Sequence, residues 1–397
     1  MIALAVAIVV PKANDILIRV LCGIITGMVI ALGCSSTTAG NSTPPETVQR
    51  LLPDVLKADD SASNREASRE LYLDNLKVLL TMFVVNHHSL MAVESHDNWF
   101  LALSKPSNET TSFHVFVRTI TGLNQSYFMS LLFFISGLFT PSSYDKSMLT
   151  GSCRVFLRTR FLRLGVPFLM CLYIFGPAVD IFVEAVVTRS KLRYTPDPRN
   201  AWFLAWLLVF NCCFCFVRGA CILVERPSLT VMIGFGLVLG LLQGLLAATG
   251  LTNFAMMPVS ALGNLPFDIA FFACGCCASG KRKAWLGATD WWDAVELPAF
   301  VGTCICCAVY FVYVVAAHTS AMGLASIEAS DTVLEGALGG LCSIFISVWL
   351  LASCRKRWNY TSQTLSLLSN AAYAAYIIHP YVIVPLVSAI AFQCTIN

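Results

Sequence analysis

The sequence predicts an all-α fold, a polytopic transmembrane helix bundle of about 9-10 spans. Three observations carry that reading. Of 397 residues, 57% are hydrophobic and only 12% are charged, about half the roughly 25% charge of an ordinary soluble domain. Mean hydropathy is +0.71. The apolar residues gather into runs of roughly 20, the length that crosses a hydrocarbon core of about 30 Å at about 1.5 Å per residue. A soluble enzyme of this size is excluded, because so few charges cannot cover its surface. The net charge of +3 offers no cationic field for nucleic acid, so the bilayer is the expected partner and nucleic acid is not.

Taken in order, residues 1–34 hold a short apolar N-terminus with Lys12 and an apolar run over 16–34, read as a signal anchor or an extra span. Residues 35–70 are rich in Ser, Thr, Asp and Glu, with Pro44-Pro45, and read as a polar linker. The main domain, 71–397, divides into spans near 72–92, 122–140, 161–184, 201–223, 229–249, 264–280, 296–317, 333–354 and 371–392. Pro141 is expected to end the second of these.

Basic residues orient the spans. Loops after the second, fourth, sixth and eighth carry Lys146, Arg154, Arg158, Arg160, Arg163, Arg218, Arg226, Lys281, Arg282, Lys283, Arg355, Lys356 and Arg357, thirteen cations. The opposite loops carry six: Lys105, Arg118, Arg189, Lys191, Arg193 and Arg199. The positive-inside bias therefore puts the first set in the cytoplasm. Glycosylation sequons at Asn108 and Asn124 fall on the outer side, in agreement, while the basic stretch 189–199 is discordant. The seventeen cysteines sit mostly within apolar runs and lack zinc-type CxxC spacing. They read as small packing residues that let membrane helices approach, and no metal site is expected.

Chemistry concentrates in the first span. Lys77 and His88 are eleven positions apart, about three turns plus roughly 20°, so they share a helix face about 16 Å apart along the axis. A cation near the cytoplasmic entrance and an imidazole deeper in the membrane suit acyl transfer from a long anionic donor. The alternative is a Lys77–Asp74 pair at i,i+3 with a merely packed histidine. His87 points about 100° from His88 and reads as structural or supporting. Ser136-Gly137 permits close helix approach. Arg160 and Arg163, at i,i+3, suit a bidentate phosphate clamp or an anchor for anionic headgroups.

Five motifs then occur in order: Leu73-Asp74-x2-Lys77-x10-His88; Phe134-x-Ser136-Gly137; Arg160-x2-Arg163 with Gly165-x-Pro167; Trp202-Phe203-Leu204; and Ser369-x3-Tyr373-x2-Tyr376-x2-His379-Pro380. Over about residues 71–392 the chain resembles the acyltransferase 3 family of integral membrane acyltransferases, most closely its glucan-modifying branch. The resemblance implies an acyl-CoA donor, acetyl or succinyl-like, and a hydroxyl acceptor on a carbohydrate or other surface or lumenal molecule. It implies His88 as catalytic base, Lys77, Arg160 and Arg163 as donor-binding, and no bound cofactor. Asp74, His87, Ser136, Trp202, Tyr376 and His379 are implied as structural or site support. Two departures stand out. Ala205 follows Trp-Phe-Leu where many relatives carry an acid, and nine spans follow the linker where the family pattern has ten.

The implied membrane is a eukaryotic secretory-pathway or plasma membrane, or a bacterial inner membrane. Readings of other classes are a transporter or exporter of a glycan or small molecule, and a non-catalytic family member. The first is disfavoured because no corresponding pair of broken helices marks two halves.

Overall fold

The computed structural model describes residues 70–94, 112–185, 194–218, 227–249, 264–279, 289–321 and 329–396. The segments 1–34 and 35–69, and the sequon at Asn108, lie outside them. Within the described residues there is no strand, and nine helices match the nine spans: α1 (Leu71–Glu94), α2 (Ser112–Thr150), α3 (Cys153–Val183), α4 (Trp202–Val217), α5 (Leu229–Ala248), α6 (Leu265–Ser279), α7 (Thr289–Ala321), α8 (Ala329–Arg357) and α9 (Gln363–Ile396). Six helices, α3, α4, α5, α7, α8 and α9, contain stretches long and apolar enough to cross a membrane, and α6 is a shorter apolar helix. The chain is an integral membrane protein built as a helical bundle.

Two compact units are distinguished. The first comprises the described residues up to Val78 together with Ser353–Ala372. Here the start of α1 meets the α8–α9 connection. The Tyr72 N–H, one of the donors a helix leaves unpaired in its first turn, bonds Asn359 Oδ1 at 3.3 Å. Asn75 Nδ2 donates to the carbonyls of Trp358 at 2.6 Å and Tyr360 at 2.8 Å.

The second unit, Leu79–Ala352 with Tyr373–Asn397, holds most of the core. Close helix approach there depends on glycine. A Cβ on Gly137 of α2 would lie 2.3 Å from the Phe272 carbonyl of α6, and one on Gly275 would lie 2.2 Å from the Phe134 carbonyl. Likewise Gly236, Gly240 and Gly244 of α5, spaced by four, face Gly336 and Gly340 of α8. Lipid tails offer no hydrophobic gain for helix pairing, so small residues that let backbones touch supply the van der Waals energy instead.

Helix α3 relaxes into π turns at Phe161–Gly165 and Cys171–Phe175, each just ahead of a proline. Pro167 and Pro177 have no N–H, so the carbonyls four residues earlier, Arg163 and Tyr173, lose their helical donors. Tyr373 of α9 donates its hydroxyl to the Arg163 carbonyl at 2.5 Å, and Tyr194 donates to the Tyr173 carbonyl at 2.9 Å. An unsatisfied carbonyl in lipid costs several kcal/mol, roughly, and side chains remove that cost here.

Two expectations are corrected. Pro141 lies inside α2, which continues to Thr150. In lipid a helix can run through proline; the carbonyl deprived of its donor is that of Gly137, four residues earlier, and the Thr140 and Ser142 hydroxyls bond its neighbours in the same turn, Ser136 and Phe139. Asn124 is buried within α2 and accepts a bond from the Tyr127 hydroxyl at 3.2 Å, so its sequon presents no surface acceptor and says nothing of sidedness.

Placing a methyl group at the α5–α8 crossing tests the glycine contact. Gly240→Ala puts Cβ 2.3 Å from the Gly336 carbonyl, whereas Gly234 has nothing within 4 Å. Thermal unfolding in detergent is expected to report a loss of about 1–3 kcal/mol for Gly240→Ala and essentially none for Gly234→Ala.

Candidate functional site

The α3–α4 connection does most to position the site. Asp197 N–H bonds the Leu172 carbonyl at 3.2 Å, the acceptor left over by the second π turn of α3. Asp197 Oδ1 then accepts the Arg199 N–H at 2.8 Å. Arg199 has φ 47°, the left-handed conformation, which disfavours a residue with a Cβ by roughly 1–2 kcal/mol. Its guanidinium is 4% exposed and ion-paired with Asp180 of α3, and Asp197 lies 3.9 Å from its Nε. Such strain persists where surrounding contacts over-determine it. The next residue, Asn200, is thereby turned into the protein interior, where the Tyr376 hydroxyl fixes its carbonyl at 2.7 Å.

Asn200 meets two histidines from different helices. Its Nδ2 lies 2.7 Å from His379 Nε2, and 3.2 and 3.1 Å from His88 Nδ1 and Nε2. The backbone chooses the tautomers. His379 Nδ1 lies 2.8 Å from the Tyr376 carbonyl, and His88 Nδ1 lies 2.8 Å from the Val84 carbonyl. Carbonyls only accept, so both imidazoles carry their proton on Nδ1 and leave Nε2 bare. The same logic orients the amide, because Nδ2 is the group that can serve a bare Nε2. Its directed bond goes to His379. Its second hydrogen faces His88 Nε2 at 3.1 Å, the one nitrogen of that ring that can accept once Nδ1 carries the proton. His379 Nε2 lies 3.3 Å from His88 Nδ1, so the two rings touch. His87 packs edge-on against His88 at 5.1 Å and tilted against Phe128 at 5.3 Å. The arrangement is a cluster of imidazoles in which the Asn200 amide faces the Nε2 lone pairs of both His379 and, at the longer distance, His88.

The other sequence candidates fall as follows. Tyr376 and His379 join the cluster directly. Trp202 is buried at the start of α4, two residues after Asn200, with its ring edge-on to Phe203. Ser136 bonds back to the Leu132 carbonyl at 2.8 Å, a helix-packing role beside Gly137. Lys77 lies in the first unit, 3.0 Å from Asp74. Arg160 and Arg163 lie on α3 within electrostatic reach of each other. Arg160 is 5.0 Å from the Phe156 ring centroid, and Arg163 is 5.9 Å from that of Tyr373. The Nε of Arg160 is hidden from solvent and has no hydrogen-bond partner among the described residues.

The sequence profile of the acyltransferase 3 family, described as an acyltransferase domain, matches residues 70–393. That span covers most of the chain. The protein belongs to the acyltransferase 3 family. No curated protein and no solved structure shows a significant match.

Within this acyltransferase domain, sequence reasoning missed Asn200, Arg199 and Asp180. The signals were present. Asp180 is an acid inside an apolar span, by default a functional or paired residue, and Arg199-Asn200 directly precedes the Trp202-Phe203-Leu204 motif. Arg199 is also part of the discordant basic stretch. It is a buried structural cation rather than a loop charge, so it does not bear on the orientation. A second intramembrane acid, Asp268 of α6, is fully buried and accepts from the Ser130 hydroxyl at 3.0 Å.

Removing Arg199 leaves Asp180 without its partner in a poorly solvated site. Arg199→Ala is expected to destabilise the fold by about 3 kcal/mol, the low end for a broken buried pair because Asp180 keeps some exposure. Arg199→Ala combined with Asp180→Ala is expected to recover part of that loss. Unfolding of detergent-solubilised protein measures both.

Proposed function

We propose that this membrane acyltransferase is an acyl-CoA-dependent O-acyltransferase. It moves an acetyl or succinyl-like group to a hydroxyl of a carbohydrate, or of another surface or lumenal acceptor, as in the glucan-modifying branch of its family. The observation that supports it best is His88, with Nδ1 committed to the Val84 carbonyl and its acceptor nitrogen Nε2 held by a longer, 3.1 Å contact with the Asn200 amide, whose place an acceptor hydroxyl would take.

In this reading the acceptor hydroxyl gives its proton to His88 Nε2 as its oxygen attacks the thioester carbonyl. The new C–O bond forms, the C–S bond breaks, and the CoA sulfur leaves as a thiolate that takes the proton back from His88. The Nδ1–H bond to the Val84 carbonyl holds the ring and favours the imidazolium that exists between the two transfers. His379 and Asn200 are positioning residues, and so is Arg199 through Asn200. Tyr376 holds the Asn200 backbone. No covalent acyl-enzyme is needed, and no cofactor beyond the donor itself.

The donor's phosphates meet Arg160 and Arg163 at the cytoplasmic end; Lys77, in the first unit, is proposed separately as a donor-binding cation. The Arg160 Nε–H is shielded and has no partner among the described residues, and a phosphate oxygen of the donor would complete it. Lys77 is ion-paired with Asp74 at 3.0 Å.

The test uses the chain inserted in membrane, with acetyl-CoA and succinyl-CoA as donors and release of CoA thiol as readout. His88→Gln is expected to lower turnover by about 100-fold or more with unchanged thermal stability. Normal turnover in that variant would remove His88 as the base. Arg160→Ala is expected to raise KM for acyl-CoA with little change in kcat, the pattern for a group that binds ground and transition states alike. Glycan movement without CoA release would favour the exporter reading.

A further inference from the structure

A second polar feature lies apart from the histidine cluster. A cavity of about 260 Å3 opens where α2, α5, α6, α7 and α8 converge, lined by Gln125, Ser126, Gln243, Asn264, Tyr310 and Glu335 among others. On the orientation given by the basic loops, α5 ends, and α6 and α8 begin, on the non-cytoplasmic side, so the cavity faces away from the donor's compartment. On α2, Gly122, Gln125 and Ser126 share the cavity face. Tyr127 and Phe128, which pack against Phe83 and His87, point roughly 100° or more away from it. The helix thus stands between the cavity and His88.

A relay of hydrogen bonds fixes the cavity's amides. Gln243 Nε2 donates to Asn264 Oδ1 at 2.5 Å, and Asn264 Nδ2 donates to the Gln125 carbonyl at 3.3 Å. Gln243 Oε1 is shielded and has no partner among the described residues, so Gln243 serves the cavity by holding this relay. Ser126 donates its hydroxyl to the Leu123 carbonyl at 2.7 Å, which leaves only acceptor lone pairs for a ligand. Tyr310 donates to Glu335 Oε1 at 3.4 Å. The described lining thus presents the Ser126 and Tyr310 oxygens and the Glu335 carboxylate as acceptors, with Arg118, a turn before Gly122, within electrostatic reach of Tyr310. A molecule rich in hydroxyl donors is matched. The Phe267 and Tyr310 rings add apolar faces. The volume is near the lower limit of small-ligand clefts, roughly 300–1,000 Å3, which fits one sugar ring and not a CoA.

We propose that this cavity binds a single sugar unit from the non-cytoplasmic side, through its hydroxyl donors. Because α2 separates it from His88, the unit held is not the one that reacts. The natural source of that sugar rests on the carbohydrate acceptor proposed above; the binding itself does not.

The test is saturation-transfer NMR on the full chain in lipid nanodiscs, with methyl gluco-, galacto- and mannopyranosides as probes. Saturable binding of at least one probe is expected, together with a loss of affinity of about tenfold in Gln243→Leu and a smaller loss in Tyr310→Phe. Absence of saturable binding to any of the three, or unchanged affinity in both variants once their melting is shown to be normal, would overturn the site and leave a water-filled cavity. Sugar binding without any acyl transfer would sink the proposed activity and keep the site. Transfer without sugar binding would do the reverse.

Discussion

The site hangs on one buried charge. Arg199 is held in a left-handed turn by an ion pair with Asp180 and by the Asp197 side chain, which bonds its backbone N–H. In a membrane protein such a cation is expensive unless paired, and the pairing in turn fixes the backbone around it. The consequence is Asn200, a residue whose position follows from the turn before it rather than from a helix of its own. Without that turn, His88 and His379 lose the amide between them, and the Tyr376 hydroxyl loses the carbonyl it binds.

A related constraint shapes α3. The π turns before Pro167 and Pro177 leave carbonyls that lipid cannot serve, and tyrosines bring the missing donors. Tyr373 does this from α9, three residues before Tyr376 and six before His379. The hydroxyl that completes the backbone of Arg163 is thus on the helix that delivers the site's second imidazole. The Arg163 backbone and the His88–His379 pair are linked through α9, and π turns of this kind recur at functional sites.

Much of the helical frame could be read from composition alone. Each of the nine apolar runs has a helix, because period and length suffice when the solvent is lipid. His88 was legible because an ionisable group in a span has few structural uses. Asn200 was not, since an asparagine beside an arginine in a connection looks like an ordinary loop, and only the fold reveals that both are buried. Pro141 and Asn124 misled for a common reason. Rules for proline and for sequons assume that water is near, whereas α2 runs on past both with its polar groups paired inside the protein.

The most direct measurement of the central claim is chemical rescue. His88→Gly protein, inserted in membrane, is assayed for CoA release with added imidazole and with imidazoles of graded basicity. If His88 Nε2 is the proton acceptor, activity is absent without added base, returns with imidazole in a saturable manner, and rises with the basicity of the added compound. Turnover by His88→Gly that equals wild type and ignores imidazole would contradict the account.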